Sequence, residues 1–217
     1  DKIINKNCYT IYPEEINNLS EIQYKYSKNG YIINNTLLNF DFNTNYSQDI
    51  ILNVSSFGGD STNLLNKLEF SDKVISLLKE RYFNLPKPYY SVHMRNTDLK
   101  IDLENFYNNV SEKIYNKNLY VATDDYESLE FFKKKIKNVY NFTKIPNSKD
   151  KNNTYISLHM NRNLDEESKI TDCIIDMLLI SLSNECFSES KGGYYNYLCK
   201  YYIQNKSKVH NWLNLKS

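Results

Sequence analysis

The chain is short of the residues that punctuate or soften a fold. Its 217 residues include 5 glycines, 4 prolines, a single tryptophan and, at Ala122, a single alanine. So little glycine and proline excludes collagen-like and flexible low-complexity architectures. Charge of one sign is also missing: the formal net charge is +1, which gives no global pull toward nucleic acid or anionic membrane. Any anionic ligand must be held by a local site. No apolar run approaches the roughly 20 residues that cross a bilayer. The opening Asp1 to Lys6 has no apolar core behind a basic head, so neither a membrane span nor a signal peptide is expected. The first residue is not Met, which implies an excised domain or a processed chain. The four cysteines (Cys8, Cys173, Cys186, Cys199) lack the pair spacing of metal or redox sites. They are expected to be buried small hydrophobes in a reducing compartment.

What is abundant is Asn, Ile, Lys and Tyr. That bias is typical of an AT-rich genome, such as that of a large DNA virus or a protist, and the composition is of a cytoplasmic type, leaving the location unknown. It also makes N-x-S/T matches such as those at Asn18, Asn34, Asn45 and Asn53 chance products of an Asn-rich chain. Hydrophobic residues make up 41% and charged residues 24%, the balance of a globular chain. The length fits one domain plus a small appendage, and roughly 70% of the unfolded surface is buried at such sizes.

Patterning changes along the chain. Up to about residue 65 there are short β-like runs, Tyr31 to Ile33 and Asp49 to Val54, separated by Asn-rich turns. Ser71 then stands where it can cap a helix through Val74, Ile75, Leu77 and Leu78, which Leu85-Pro86-Lys87-Pro88 ends. Strands and helices alternate from there: strands at Tyr89 to Met94, Leu119 to Ala122 and Val139 to Phe142, and helices carrying Leu103, Phe106, Val110 and Ile114, then Leu129, Phe132 and Ile136. Tyr155 to Met160 fits either state. An apolar helix over about 167–182, a short strand near Glu185 to Ser188 and a Tyr-rich helix complete the chain. Such alternation predicts an α/β fold, a Rossmann-like parallel sheet with helices on both faces. The expected division is a small N-terminal subdomain, 1–85, and a ligand-binding domain, 86–217. In sheets of this kind ligands bind beyond the carboxyl ends of the strands.

Three segments fall there. His93, Arg95, Thr97 and Asp98 end the first strand; His93 and Arg95 share a face by the two-residue period, and the Arg95 fork suits a phosphate oxygen pair. Alone, the pair also fits a surface arginine beside a core-edge histidine. Thr123-Asp124-Asp125 follows the second strand. Adjacent carboxylates at a helix start are caps in most settings, and otherwise could hold a ribose, a sugar hydroxyl or a metal; they are not a spaced metal-binding pair, so no metal is inferred. Ser188-Glu189-Ser190-Lys191-Gly192-Gly193 leads into a helix, where backbone amides and Lys191 could meet a phosphate, or where an ordinary flexible turn would do.

In this order the segments resemble the donor-binding half of GDP-fucose-type glycosyltransferases. The likeness is to the α1,6-fucosyltransferase and nodulation fucosyltransferase group, and more loosely to α1,2- and peptide O-fucosyltransferases. Ser91-Val92-His93-Met94-Arg95-Asn96-Thr97-Asp98 resembles that group's H-V-R-R-T-D strand end. Leu119 to Asp125 resembles its Y-L-A-T-D-D turn, Leu158-His159-Met160-Asn161-Arg162 its L-H-N-R loop, and Ile174 to Ser181 its L-D-x-x-x-L-S helix. The resemblance covers about 110 residues. It implies the donor half of a GT-B-like fold, the N-terminal subdomain being a reduced acceptor side. It implies Arg95 on the donor β-phosphate, His93 near the nucleotide, and Asp176 accepting from the guanine edge. Thr123, Asp124 and Asp125 would lie near ribose or sugar, and the Ser190, Lys191, Gly192 and Gly193 turn at the pyrophosphate. Asp98 ranks first, ahead of Asp102 and Glu104, as the base for the acceptor hydroxyl. Arg95, Lys191 and helix amides would stabilise the leaving diphosphate.

The implied activity is inverting, metal-independent transfer of a sugar, fucose in the relatives, from a GDP-sugar to a glycan or glycoprotein hydroxyl. The GDP-sugar is a substrate, with no cofactor and no nucleic-acid partner. The sequence departs from the family's pattern at Asn96, which replaces a second arginine, at Leu99, which replaces a lysine, and at Lys191-Gly192-Gly193, which replaces an F-S-S turn. Of the family's opening Gly-rich turn only Phe57 to Ser61 is a remote echo. Two other classes fit the same residues: a non-catalytic nucleotide- or glycan-binding descendant, and an interaction module presenting its tyrosines.

Overall fold

The computed structural model describes residues 47, 65, 68–96, 100–149, 155–158, 161 and 164–215, and the backbone of five short strands before residue 52. The chain forms two compact units, residues 1–68 and 69–217.

In the first unit, β1 (Ile11–Tyr12) pairs in parallel with β5 (Ile50–Ile51). Strands β2 (Tyr24–Ser27), β3 (Gly30–Ile33) and β4 (Thr36–Asn39) form an antiparallel sheet in the order β2-β3-β4, with Tyr26 opposite Tyr31 and Ile32 opposite Leu37. The β-like runs at Tyr31 and Ile50 are therefore strands. Phe57 to Ser61 lies outside the described residues.

The second unit opens with α1 (Asp72–Asn84), so the unit boundary falls before this helix. Ser71 holds the N-cap position in extended conformation, but its side chain makes no capping bond. Four parallel strands follow: β6 (Tyr89–Met94), β7 (Asn118–Thr123), β8 (Asn138–Tyr140) and β9 (Cys186–Phe187), in the order β8-β7-β6-β9. The connecting helices are α2 (Leu103–Ile114), α3 (Tyr126–Lys135) and α4 (Glu166–Leu182). Each starts on a carboxylate cap: Asp102 accepts from the Asn105 amide, Asp125 from Ser128 and Asp165 from Ser168. Lys133, Lys134 and Lys135 fill the last turn of α3, where the helix dipole favours cations. The Tyr-rich tail begins as a π-helical stretch, Tyr194–Cys199, continuous with α5 (Lys200–Gln204) and followed by α6 (Lys206–Leu213).

Strand alternation divides the core into two layers. Leu119 and Val121, with Val92 and Met94, pack against Phe106, Val110, Ile114, Leu129 and Phe132 of α2 and α3. Tyr89, Tyr120 and Ala122 point to the other face, against α1, α4 and the C-terminal helices. The helix α4 is covered by the sheet on one side and by α1 and the tail on the other. Every residue from Ile175 to Ser181 is consequently buried, as expected of a helix that is apolar nearly all round. This is the Rossmann-like α/β arrangement that the alternation predicts. The third strand stops at Tyr140, and Phe142 instead turns its ring onto Tyr120 at 5.9 Å. The cysteines differ from their expected uniform burial: Cys199 is buried, Cys186 half-buried and Cys173 exposed; Cys8 lies outside the described residues.

Candidate functional site

The chain leaves β6 for α2 and β7 on one side, and returns from α4 to β9 on the other side of β6. That reversal opens a crevice beyond the carboxyl ends of β6 and β9, where open α/β sheets bind ligands. A cavity of about 280 Å³ lies beside it, lined by His93, Arg95, Thr123, Asp124, Thr143, Lys169, Cys173, Asp176 and Tyr194, with Met94, Ala122 and Leu158. A smaller cavity of about 130 Å³ is lined by Arg95, Lys100, Ile101, Glu189, Ser190 and Lys191. Arg95 borders both.

Asp176 forms the floor of the larger cavity. It projects from α4, almost wholly buried, and its Oδ1 accepts from the Tyr120 hydroxyl at 2.5 Å and from Thr143 at 3.0 Å. The Thr143 hydroxyl is shared with Oδ2 at 3.1 Å. Burial pushes the Asp176 carboxyl up to about 7, opposed by these two hydrogen bonds; Asp172 pushes the same way as burial, and Arg81 opposes it. Arg81 spends its own charge on Asp172, 2.5 Å away. Lys169 stands two helical turns before Asp176 on the same face. Its ammonium donates to the Asn161 carbonyl at 3.1 Å and to Glu166 at 2.6 Å, tying the segment before α4 down at the cavity wall. The Leu158 amide donates to the Asp124 carbonyl at 2.9 Å and anchors the same segment from the sheet side.

His93 is buried at the strand end, its ring stacked on Tyr195 at 5.4 Å and tilted against Tyr194 at 5.2 Å. Its Nδ1 lies 3.2 Å from Ser188 Oγ, joining β6 to the segment after β9 across the crevice. Burial, and then the Arg95 guanidinium, push the imidazole down to about 4, so it is neutral at ordinary pH and serves as a packed hydrogen-bonding ring.

The turn after β9 abuts Arg95: a Cβ on Gly192 would sit 3.8 Å from Arg95 Nη1 and 3.5 Å from Ser190 Oγ. Those are ordinary contacts, and Gly193 has helical backbone angles, so neither glycine is demanded by conformation. The Gly192 amide donates to Ser190 Oγ at 3.3 Å, and the Ser190 amide to Ser188 Oγ at 3.1 Å. Hydroxyls inside the turn thus already engage amides that the sequence offered to a phosphate.

The two adjacent carboxylates separate in the structure. Asp124 lines the cavity. Asp125 is buried as the cap of α3, its Oδ2 accepting from the Ser128 amide at 3.0 Å, the Ser128 hydroxyl at 2.6 Å and Asn96 Nδ2 at 3.3 Å. Asn96, at the position of the family's second arginine, also accepts from the Ile101 amide through Oδ1 at 2.9 Å. It staples the loop after β6 to the start of α3. Thr123 Oγ1 receives the Asp125 amide at 3.1 Å. Asp98, with Thr97, Leu99, His159, Met160 and Arg162, lies outside the described residues.

Sequence reasoning brought His93, Arg95, Thr123, Asp124 and Asp176 to one cavity, and Arg95, Ser190 and Lys191 to the second. It missed Tyr120, Thr143 and Lys169. Tyr120 carried a usable signal: two-residue alternation puts it on the face of His93 and Ala122, opposite Leu119 and Val121. Thr143 and Lys169 reach the site from a loop and from a helix start, which no period in the chain connects. Among the described residues no group of three or more His, Cys, Asp or Glu could hold a metal ion, and no helix is long and apolar enough to cross a membrane.

The domain is thus of the α/β class, a four-stranded parallel Rossmann-like sheet with its cavities at the carboxyl edge. No protein-family model matches the chain, and no curated protein does. Four chains of solved structures match. One is NodZ alpha-1,6-fucosyltransferase, in a crystal soaked with GDP-fucose, with a TM-score of 0.48 and 13% sequence identity over 71% of this chain and 52% of that one. The chain therefore spans about half the length of that enzyme.

Proposed function

We propose that the second unit binds the nucleotide-sugar donor of an inverting, metal-independent glycosyltransferase, a GDP-sugar with fucose as first candidate. A glycan or glycoprotein hydroxyl would be the acceptor. The observation that carries the reading is Arg95, which stands at the sheet's reversal point and borders both cavities, one ending on a buried carboxyl and the other carrying Lys100 and Lys191. A nucleoside diphosphate matches that layout: base toward Asp176, ribose toward Thr123 and Asp124, phosphates at Arg95 and Lys191. Charge-assisted bonds from a guanidinium are well suited to the two negative phosphates, and they strengthen as the sugar–phosphate bond breaks and charge collects on the diphosphate. Asp98, six residues or fewer from every other group of the β6 end, is the proposed acceptor base. Asp125 belongs in this reading to the scaffold, since its carboxylate is taken up by the α3 cap.

The test is calorimetry with GDP on the whole chain and on Arg95→Ala. Removing a charge-assisted phosphate fork costs about 2–3 kcal/mol, so GDP affinity should fall on the order of a hundredfold while the melting temperature stays put. Unchanged affinity would refute the phosphate assignment. Release of GDP from GDP-fucose, by hydrolysis or with the sugar passed to an acceptor, would separate a transferase from a binding-only descendant.

A further inference from the structure

The groups around Asp176 carry an inference about how the base would be read, which rests on the donor-site reading above. Asp176 is a carboxyl on a cavity floor whose two direct partners, Tyr120 and Thr143, are neutral hydroxyls. Arg81, whose charge acts on Asp176, is held by Asp172, one turn away. Oδ1 takes both hydroxyls; among the described residues Oδ2 receives only the shared Thr143 contact and retains acceptor capacity, and Asp176 lines the cavity. A desolvated carboxyl without a counter-ion holds its proton more tightly than one in water. An incoming base edge with adjacent ring N–H and amino donors favours the ionised form.

We infer that Tyr120 and Thr143 position Asp176 as a proton-exchanging reader of the guanine edge, the nucleotide entering as Asp176 releases its proton to solvent. The ring N–H and exocyclic amine of guanine supply two donors to the carboxylate. Adenine offers a ring acceptor where guanine has its ring N–H, and a C–H where guanine carries its 2-amino group. The balance is simple: the Asp176 O–H bond breaks, its proton passes to the solvent buffer, no other covalent bond changes, and the new carboxylate is stabilised by hydrogen bonds from the base N–H groups and the two hydroxyls. The other titratable groups facing Asp176 are Asp172 and Cys173 from its own helix and Tyr194 and Cys199 from the π-helical stretch. His93, Arg95, Asp124 and Lys169 line the remaining wall. Of these, His93 is already neutral well above its depressed value of about 4. Burial brings Asp176 itself to about 7, which puts the exchange in an accessible pH range.

The experiment is calorimetric titration of the whole chain with GDP-fucose, whose diester phosphates do not titrate near neutrality, in two buffers of different ionisation enthalpy. Affinity should rise about tenfold from about pH 6 to about pH 8, with about one proton released at the lower pH and almost none at the higher. Asp176→Asn should abolish the proton release. Tyr120→Phe and Thr143→Val remove donors that favour the carboxylate, so the pH at which release fades should move upward in both. Loss of affinity by one common factor at every pH would instead mark the hydroxyls as merely structural and overturn their positioning role. Binding of GDP-fucose with a flat pH profile and no proton exchange would overturn the inference while leaving the donor reading intact. Absence of GDP-fucose binding at every pH would overturn both.

Discussion

The floor and the rim of the cleft are built by different means. On the floor, Asp176 sits in a helix whose neighbours Ile175, Leu178 and Leu179 are fully buried, and its partners come from the middle of a strand and from a loop pinned beside it. At the rim, Arg95 is partly exposed, abuts Gly192 on a turn held by its own serines, and shares a small cavity with Ser190 and Lys191. A group placed by the core has one position, and a change there disturbs the fold and the site together. A group placed by a turn can be removed with little cost to the fold. The difference teaches that the proposed base end and phosphate end of the cleft are separable by mutation.

The largest expected effect sharpens that contrast. Leu178→Ala, two residues along α4 from Asp176, should destabilise the unit by about 2–5 kcal/mol, the range for truncating a fully buried leucine. Equilibrium urea unfolding reads this directly. The rim variant Arg95→Ala should leave the same transition in place. If Arg95→Ala unfolds as readily as Leu178→Ala, the rim is part of the core and the comparison fails.

A smaller effect divides two neighbours in sequence. Asp125→Ala removes the α3 cap and the Asn96 staple and should cost about 1–2 kcal/mol of stability, with GDP affinity of the folded protein changed less than about threefold. Asp124→Ala should do the reverse, keeping stability and weakening the ligand. Chemical denaturation beside calorimetry checks both. A collapse of binding in folded Asp125→Ala would show that its carboxylate serves the ligand after all.

These two aspartates also show where sequence reading stops. Strand–helix alternation, the helix faces and the carboxylate caps were legible because each is a local property with its own period or end signal. The rule that parallel sheets bind ligands at one edge pointed to Arg95 and Asp124, and only the family resemblance pointed to Asp176; all three line one cavity. Three things were not legible. Asn96 reads as a lost arginine, and only the fold shows it bridging Asp125 and Ile101. The glycines at 192 and 193 read as a phosphate cradle, whereas Ser188 and Ser190 already engage the amides at 190 and 192. Lys169 is two turns from Asp176, yet its part in holding the Asn161 segment depends on a loop position that no pattern in the chain specifies.

The smallest expected effect in the native chain comes from two large ones that oppose each other. Burial raises Asp176 on the floor from the ordinary carboxylate range to about 7. Between roughly pH 4 and 7 the folded state therefore keeps a proton that the unfolded state has lost, so this group's contribution falls as pH rises through that window and levels off above it. His93 at the rim is lowered from 6.5 to about 4. Over that interval the unfolded state binds the proton first, so its contribution rises with pH. The two windows overlap almost completely, and their slopes, each limited to about 1.4 kcal/mol per pH unit, have opposite signs. The native protein should therefore change little in stability from about pH 4.5 to about pH 6.5. Asp176→Asn should unmask the histidine slope and become steadily more stable with rising pH. His93→Gln should unmask the aspartate slope and become steadily less stable. Urea midpoints at three pH values suffice to compare the chains; parallel profiles for both variants would mean that floor and rim do not carry the opposed desolvation costs that their burial implies.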